Sequence, residues 1–146
     1  MDRDPFDLDR FTQAQEPMIA GVRAELRAGL KQSHWMWFVF PQLRGLGPSS
    51  MAQHYGIASL AEARAYLAHP VLGPRLRECC ELMLALTPTA TAHEVIGSPD
   101  DLKFRSCLTL FSLAASEDRL FHRCLDRFYS GRPDPRTLEL CGRMDA

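Results

Sequence analysis

His34-Trp35-Met36-Trp37-Phe38-Val39-Phe40-Pro41-Gln42-Leu43-Arg44-Gly45-Leu46-Gly47 holds both tryptophans of the chain, and four of the seven residues from 34 to 40 are large aromatics. Leaving such a run in water is costly, because each large aromatic hides roughly 150–250 Å² on burial. The segment must line a core, a pocket or an interface. Its polar members, His34, Gln42, Arg44, Ser49 and Ser50, flank the apolar block instead of alternating with it. That order suits an apolar wall with a polar rim, a common construction for small-molecule sites. Periodicity does not classify so short an apolar run. A helical turn and a short strand over 35–40 both satisfy it.

Away from this block the punctuation is helical. Phe11, Met18, Val22, Leu26 and Leu30 recur at three-to-four spacing, and Pro17 marks either the start of a second helix or a kink in one long helix. A short helix is expected over 50–55, ending at Gly56. Ser59-Leu60-Ala61-Glu62 and Thr91-Ala92-His93-Glu94 have the spacing of capping boxes. His69-Pro70 ends one helix, and a longer one follows through Leu76, Cys79, Cys80, Met83 and Leu86. Ser98-Pro99-Asp100-Asp101 offers a cap, a first-turn proline and two acids at the positive end of a helix running to about Ala115. Leu120, Phe121, Cys124, Leu125 and Phe128 form the stripe of the next, which is expected to start at Ser116-Glu117-Asp118. A last short helix opens at Asp134-Pro135 and is expected to stop at Gly142. The sum is an all-α chain, residues 1–146 forming one irregular multi-helix domain.

Composition narrows the class of function. The chain has 146 residues, 46% of them hydrophobic and 24% charged, as in an ordinary globular protein. Seventeen Lys and Arg against eighteen Asp and Glu leave a net charge of -1, which disfavours nucleic acid as a partner. No apolar run reaches the roughly 18 residues of a membrane span, and Met1-Asp2-Arg3-Asp4-Pro5 lacks the basic and apolar stretches of a signal peptide. Five cysteines, none in a C-x-x-C pair, read as free thiols acting as small hydrophobes. A cytoplasmic protein with no metal site and no cofactor is expected.

Two polar residues break the apolar pattern. On a helical wheel for 99–115, Phe104, Cys107, Leu108, Leu110, Phe111, Ala114 and Ala115 face inward, while Asp101, Arg105, Thr109 and Ser112 face water. Lys103 falls inside the apolar sector. It snorkels out at the helix end, or it sits in a pocket, paired with a carboxylate or holding an anion. Gln15 lies on the Phe11–Val22 stripe, where it is expected to fasten helices together. His34 is a candidate general base or ring-stacking partner. Gly45 and Gly47, ahead of a helix start, offer backbone amides to an anion.

Three longer stretches carry a resemblance. They are Lys31-x-Ser33-His34-Trp35-Met36-Trp37-Phe38-x-Phe40-Pro41-Gln42-Leu43 with Gly45-Leu46-Gly47, Tyr66-Leu67-x-His69-Pro70-x-Leu72-Gly73-x-Arg75-Leu76, and Asp101-x-Lys103 with Thr109-Leu110-Phe111. Together they resemble a bacterial domain-of-unknown-function family whose members often carry the label calpastatin. The resemblance runs from about Phe6 to Tyr129 and implies a small helical cytosolic protein without an established activity. Calpain inhibition does not follow, since inhibitory calpastatin regions are disordered, polar segments and this chain has an aromatic core. A fainter likeness, on Lys103-Phe104 and the aromatic-rich early segment, is to the NADAR, or YbiA-like, helical hydrolases of N-glycosidic bonds.

The resulting expectation is an aromatic-walled pocket for a small molecule, with Trp35, Trp37, Gln42, Gly45, Gly47, Arg75 and Lys103 as its ligand-binding residues. A nucleotide- or ADP-ribose-like ligand hydrolysed at its N-glycosidic bond is the enzyme reading, with Lys103, Asp101 and His34 as catalytic candidates and Asp100 as a second acid. The alternative is a non-catalytic module that binds a ligand, or that uses an exposed aromatic patch for a protein partner or a homodimer.

Overall fold

Pro17 separates two helices. In the computed structural model, which describes residues 4–144, α1 (Asp9–Gln15) stops just before it and α2 (Ile19–Ala28) starts after Met18. The opening Met1-Asp2-Arg3 lies outside the described residues. Gly29 closes α2 in the left-handed conformation, φ +75°, which a glycine adopts without penalty.

The aromatic block resolves as one helical turn, α3 (Met36–Val39), with Val39 N donating to Trp35 O at 3.2 Å and Phe40 N to Met36 O at 3.1 Å. Pro41 ends it, because a residue before proline is pushed out of the helical region. The strand alternative over 35–40 is therefore not what forms. Pairing of β type begins just beyond it, as a parallel bridge between Leu43 and Ile57. Arg44 N donates to Ile57 O at 2.8 Å and Ile57 N to Gln42 O at 2.9 Å.

α4 (Ser50–Tyr55), α5 (Leu60–Ala68), α6 (Leu72–Leu84), α7 (Ala92–Ile96), α8 (Asp100–Ala114), α9 (Arg119–Tyr129) and α10 (Pro135–Met144) complete an all-α fold of ten helices among the described residues. Thr91 and Glu94 form the full reciprocal capping box. Ser59 accepts from Glu62 N, but the Glu62 carboxylate reaches past it to Ala58 N at 3.0 Å and takes Arg10 at 2.7 Å. Asp118, the last residue of the expected start Ser116-Glu117-Asp118, caps α9. α10 runs on through Gly142, where a stop was expected. A helical glycine costs only about 1 kcal/mol, and Glu139 braces the turn through Arg136 at 2.9 Å and Arg143 at 2.6 Å.

One core runs from Leu8 to Cys141. Helix α8 passes through its middle, packed by α5, α7, α9 and α10. The expected wet face of α8 is consequently half wrong, since Thr109 and Ser112 are buried at 0% and 6% exposure. Short hydroxyls can be buried because their own helix satisfies them. Thr109 Oγ1 donates to Arg105 O at 2.8 Å and accepts Asp134 N at 2.8 Å, while Ser112 Oγ donates to Thr109 O at 2.7 Å. Gln15 does fasten helices. Its amide donates to Phe38 O at 2.6 Å and Tyr66 OH at 3.1 Å, and its carbonyl accepts Arg75 at 3.4 Å, joining α1, α3, α5 and α6. All five cysteines are buried and none is in a disulfide among the described residues. No described helix is long and apolar enough to cross a membrane.

Candidate functional site

Burial alternates along the segment ahead of α3. Lys31, Ser33 and Trp35 turn inward, and Gln32 and His34 turn to solvent. Glu25, on α2, gathers the inward set. It accepts from Gln32 N at 2.7 Å, Ser33 N at 3.0 Å, Ser33 Oγ at 2.7 Å and Trp35 Nε1 at 3.0 Å. Burial acts to raise its pKa, but the bonds from Ser33, Gln32 and Trp35 together outweigh it and hold the carboxyl at about 2, against an ordinary 4.5. A folded-state pKa below the unfolded one stabilises the protein above about 4.5, and that share is lost as pH falls toward 2. Acid unfolding followed by circular dichroism should show this loss in the wild type, and Glu25→Gln should flatten it. An unchanged acid limb in the variant would remove Glu25 from the account.

Lys31 leads to the second charged group. Its ammonium lies 2.9 Å from Asp100 Oδ2 and 5.1 Å from the Trp35 ring centre, and its side chain is only 8% exposed. Asp100 opens α8, and Lys103 follows three residues on. Lys103 Nζ stands 3.7 Å from Asp100 Oδ1 and 4.9 Å over the Trp37 ring. Each tryptophan thus faces a lysine within cation–π reach, and both lysines meet at one aspartate.

Beside Trp37 the surface folds into a cleft lined by Met36, Trp37, Phe40, Gln42, Ala52, Tyr55, Gly56 and Lys103. It holds about 230 Å³ of empty space, part of it open to solvent. Gly56 permits the close approach of its floor: a Cβ there would lie 2.7 Å from Ala52 O and Arg44 Cα. The polar groups on this wall are uncommitted. Trp37 Nε1 is buried without a hydrogen-bond partner among the described residues, and nothing described there bonds the Gln42 amide or the Tyr55 hydroxyl either. Lys103 Nζ has only the long contact to Asp100.

Of the expected ligand residues, Trp37, Gln42 and Lys103 share this wall. Gly47 supports it from behind, since a Cβ there would meet Ala52 Cβ at 3.0 Å and Gln42 Nε2 at 3.7 Å. Trp35 is fully buried. Gly45 is exposed at φ +101°. Arg75 belongs to the Gln15 joint and pairs with Glu16 at 3.0 Å. Asp101 turns to His93 at 3.5 Å, and its carbonyl accepts the Tyr129 hydroxyl. Sequence reasoning passed over Lys31, Glu25 and Tyr55. The spacing Lys31-x-Ser33-x-Trp35 held the signal for the first two, being a period of two with one face buried. A wider hollow, with about 850 Å³ of empty space that includes open solvent, lies against the end of α8. Its arginines are spent, Arg64 on Ala114 O at 3.3 Å and Arg77 on Asp118 at 3.1 Å.

The family model described as "Protein of unknown function (DUF1810)" matches residues 5–141. The chain belongs to the DUF1810 family. A solved structure similar to it is the conserved hypothetical protein Rv1873 from Mycobacterium tuberculosis, 52% identical, with a TM-score of 0.93 over 95% of this chain and 99% of that one. Comparison with curated proteins found no match. The DUF1810 description names no activity, so the calpastatin label and the NADAR likeness draw no support from it.

Proposed function

We propose that this protein is a non-catalytic module that binds a small, acceptor-rich molecule in the cleft beside Trp37. The observation that carries the reading is a cleft lined by Gln42, Tyr55 and Lys103 in an otherwise apolar wall, where the Gln42 amide and the Tyr55 hydroxyl bond no described residue and Lys103 has only a long ion pair and an aromatic face. The ammonium only donates hydrogen bonds, so the complementary ligand is one that accepts them. Burial of the aromatic block argues for a pocket wall over an association patch: Trp35 is 0%, Phe38 6% and Phe40 1% exposed.

Hydrolysis of an N-glycosidic bond finds less support. Asp100 is held by two lysines, Asp101 by His93, and neither lines the cleft. Even with open solvent counted, the 230 Å³ of the cleft falls below the roughly 300–1,000 Å³ of a drug-sized pocket, so the group received is smaller than a nucleotide.

A thermal-shift screen tests the reading, because a ligand that prefers the native state raises stability by mass action. Small organic anions should raise Tm, and ribose 5-phosphate, AMP and ADP-ribose belong in the same plate as the larger alternatives. Lys103→Met should keep its own stability within about 1 kcal/mol, since Asp100 retains Lys31 and a partly exposed pair is worth little. The same variant should lose the ligand response. A response that survives it, or a plate with no response at all, overturns the proposal.

A further inference from the structure

Resting on that reading of the cleft, we infer that the group it receives is a carboxylate monoanion, with Lys103 as its cation and Lys31 as the positioning residue that frees Lys103 from Asp100. The geometry of the three charges carries the argument. Asp100 has two oxygens and two lysine neighbours, and it does not share itself equally. Lys31 pairs with Oδ2 at 2.9 Å, a close ion pair from a side chain only 8% exposed. Lys103 stands at 3.7 Å from Oδ1, beyond hydrogen-bond reach, with its side chain 24% exposed. An ammonium has three donors. Those of Lys103 are unspent, held over the Trp37 face at the edge of the cleft.

Two lysines against one aspartate leave a single positive charge in this triad, which matches a singly charged anion. Shape selects the carboxylate. The cleft is small, about 230 Å³ with open solvent included, and Trp37, Phe40 and Tyr55 are among the residues that line it. A carboxylate is flat, so it can enter a small cleft edge-on, one oxygen leading and the second in the same plane toward Lys103. The three splayed oxygens of a phosphate have no such edge-on approach. The Tyr55 hydroxyl and the Gln42 amide, which bond no described residue, are the donors on this wall for the leading oxygen.

Lys31 enters through competition. With Lys31 in place, Asp100 is satisfied and Lys103 is loose. Without it, Asp100 is left with Lys103 alone and should draw the ammonium away from the cleft. Lys31→Met is therefore expected to weaken carboxylate binding, Asp100→Asn to strengthen it, and the double variant to lose the Lys31 effect. A role confined to holding the fold would move all three in one direction.

The test is a titration of tryptophan fluorescence in the intact protein with acetate, benzoate, acetamide and inorganic phosphate at fixed ionic strength. Acetate or benzoate should bind at least about tenfold more tightly than neutral acetamide, as expected for a hydrogen bond made to a charged group, and more tightly than phosphate. Lys31→Met should lower carboxylate affinity by about threefold to tenfold, and Lys31→Arg should restore it. If Lys31→Met does not fold, the rise in affinity on Asp100→Asn carries the same prediction alone. Equal binding of acetamide and acetate, or preferred phosphate, overturns the ligand class while the cleft stands as a binding site. Unchanged affinity in both Lys31→Met and Asp100→Asn overturns the role of Lys31. Failure of every probe, charged or neutral, overturns the cleft itself.

Discussion

Trp35→Ala is expected to destabilise the protein by roughly 3–5 kcal/mol, the usual cost of deleting a fully buried large aromatic. The side chain is 0% exposed and packs against Phe40 with ring centres 6.0 Å apart. Its indole N–H is also one of the four donors to Glu25, so the change removes packing and a charge-assisted bond together. A loss of this size is a large share of the stability of an ordinary domain, and urea unfolding measures it. Trp37→Ala should cost clearly less, because Trp37 is only partly buried, lines the cleft and leaves no hydrogen-bond partner stranded. The two tryptophans stand one residue apart on either side of Met36, and a similar loss at both would mean that Trp37 is core after all.

That contrast shows what a sequence can say about this chain. The helices were legible wherever short-range chemistry sets them: Ser59 and Thr91 cap where their spacing says they should, and the α9 stripe is buried from Leu120 to Leu125 with Phe128 half-buried against the core. The aromatic block was legible as something buried, but its conformation was not, because Trp35 to Phe40 offers no polar residue from which to count a period. The inward turn of Thr109 and Ser112 depends on how many neighbours surround α8, which no wheel drawn on α8 alone contains. The candidate site divides the same way. Trp37, Gln42 and Lys103 could be named because each breaks or edges an apolar pattern. Arg75 was named for its place in a motif and belongs to a joint around Gln15. The meeting of Lys31 with Asp100 depends on the approach of the segment before α3 to the start of α8, a tertiary fact that leaves no local trace.

Arg10 is the second position where a large loss is expected. Its guanidinium donates to Phe6 O at 2.6 Å, Asp7 O at 2.8 Å, His54 O at 2.9 Å, Gly56 O at 3.2 Å and Glu62 Oε2 at 2.7 Å. Arg10 and Glu62 are 7% and 3% exposed in their side chains, so the pair is close to fully desolvated. A buried ion pair adds little over a well-packed apolar substitute, but removing one partner strands the other. Arg10→Met should therefore cost roughly 3–5 kcal/mol, measured by chemical denaturation at neutral pH. Adding Glu62→Gln removes the stranded charge while keeping an acceptor for Ala58 N, and should recover part of the loss. It should not recover all of it, because the carbonyls of Phe6 and His54 have lost the Arg10 donor in either background, while Gly56 O keeps only Arg44 at 3.2 Å. The recovered part measures the ion pair, and the remainder measures Arg10 as the clasp between α1 and the turn that carries Gly56. Since Gly56 forms the floor of the cleft, the Arg10→Met protein should also show a weakened ligand response at temperatures where it is still folded. A destabilised variant with an intact response would separate the clasp from the site.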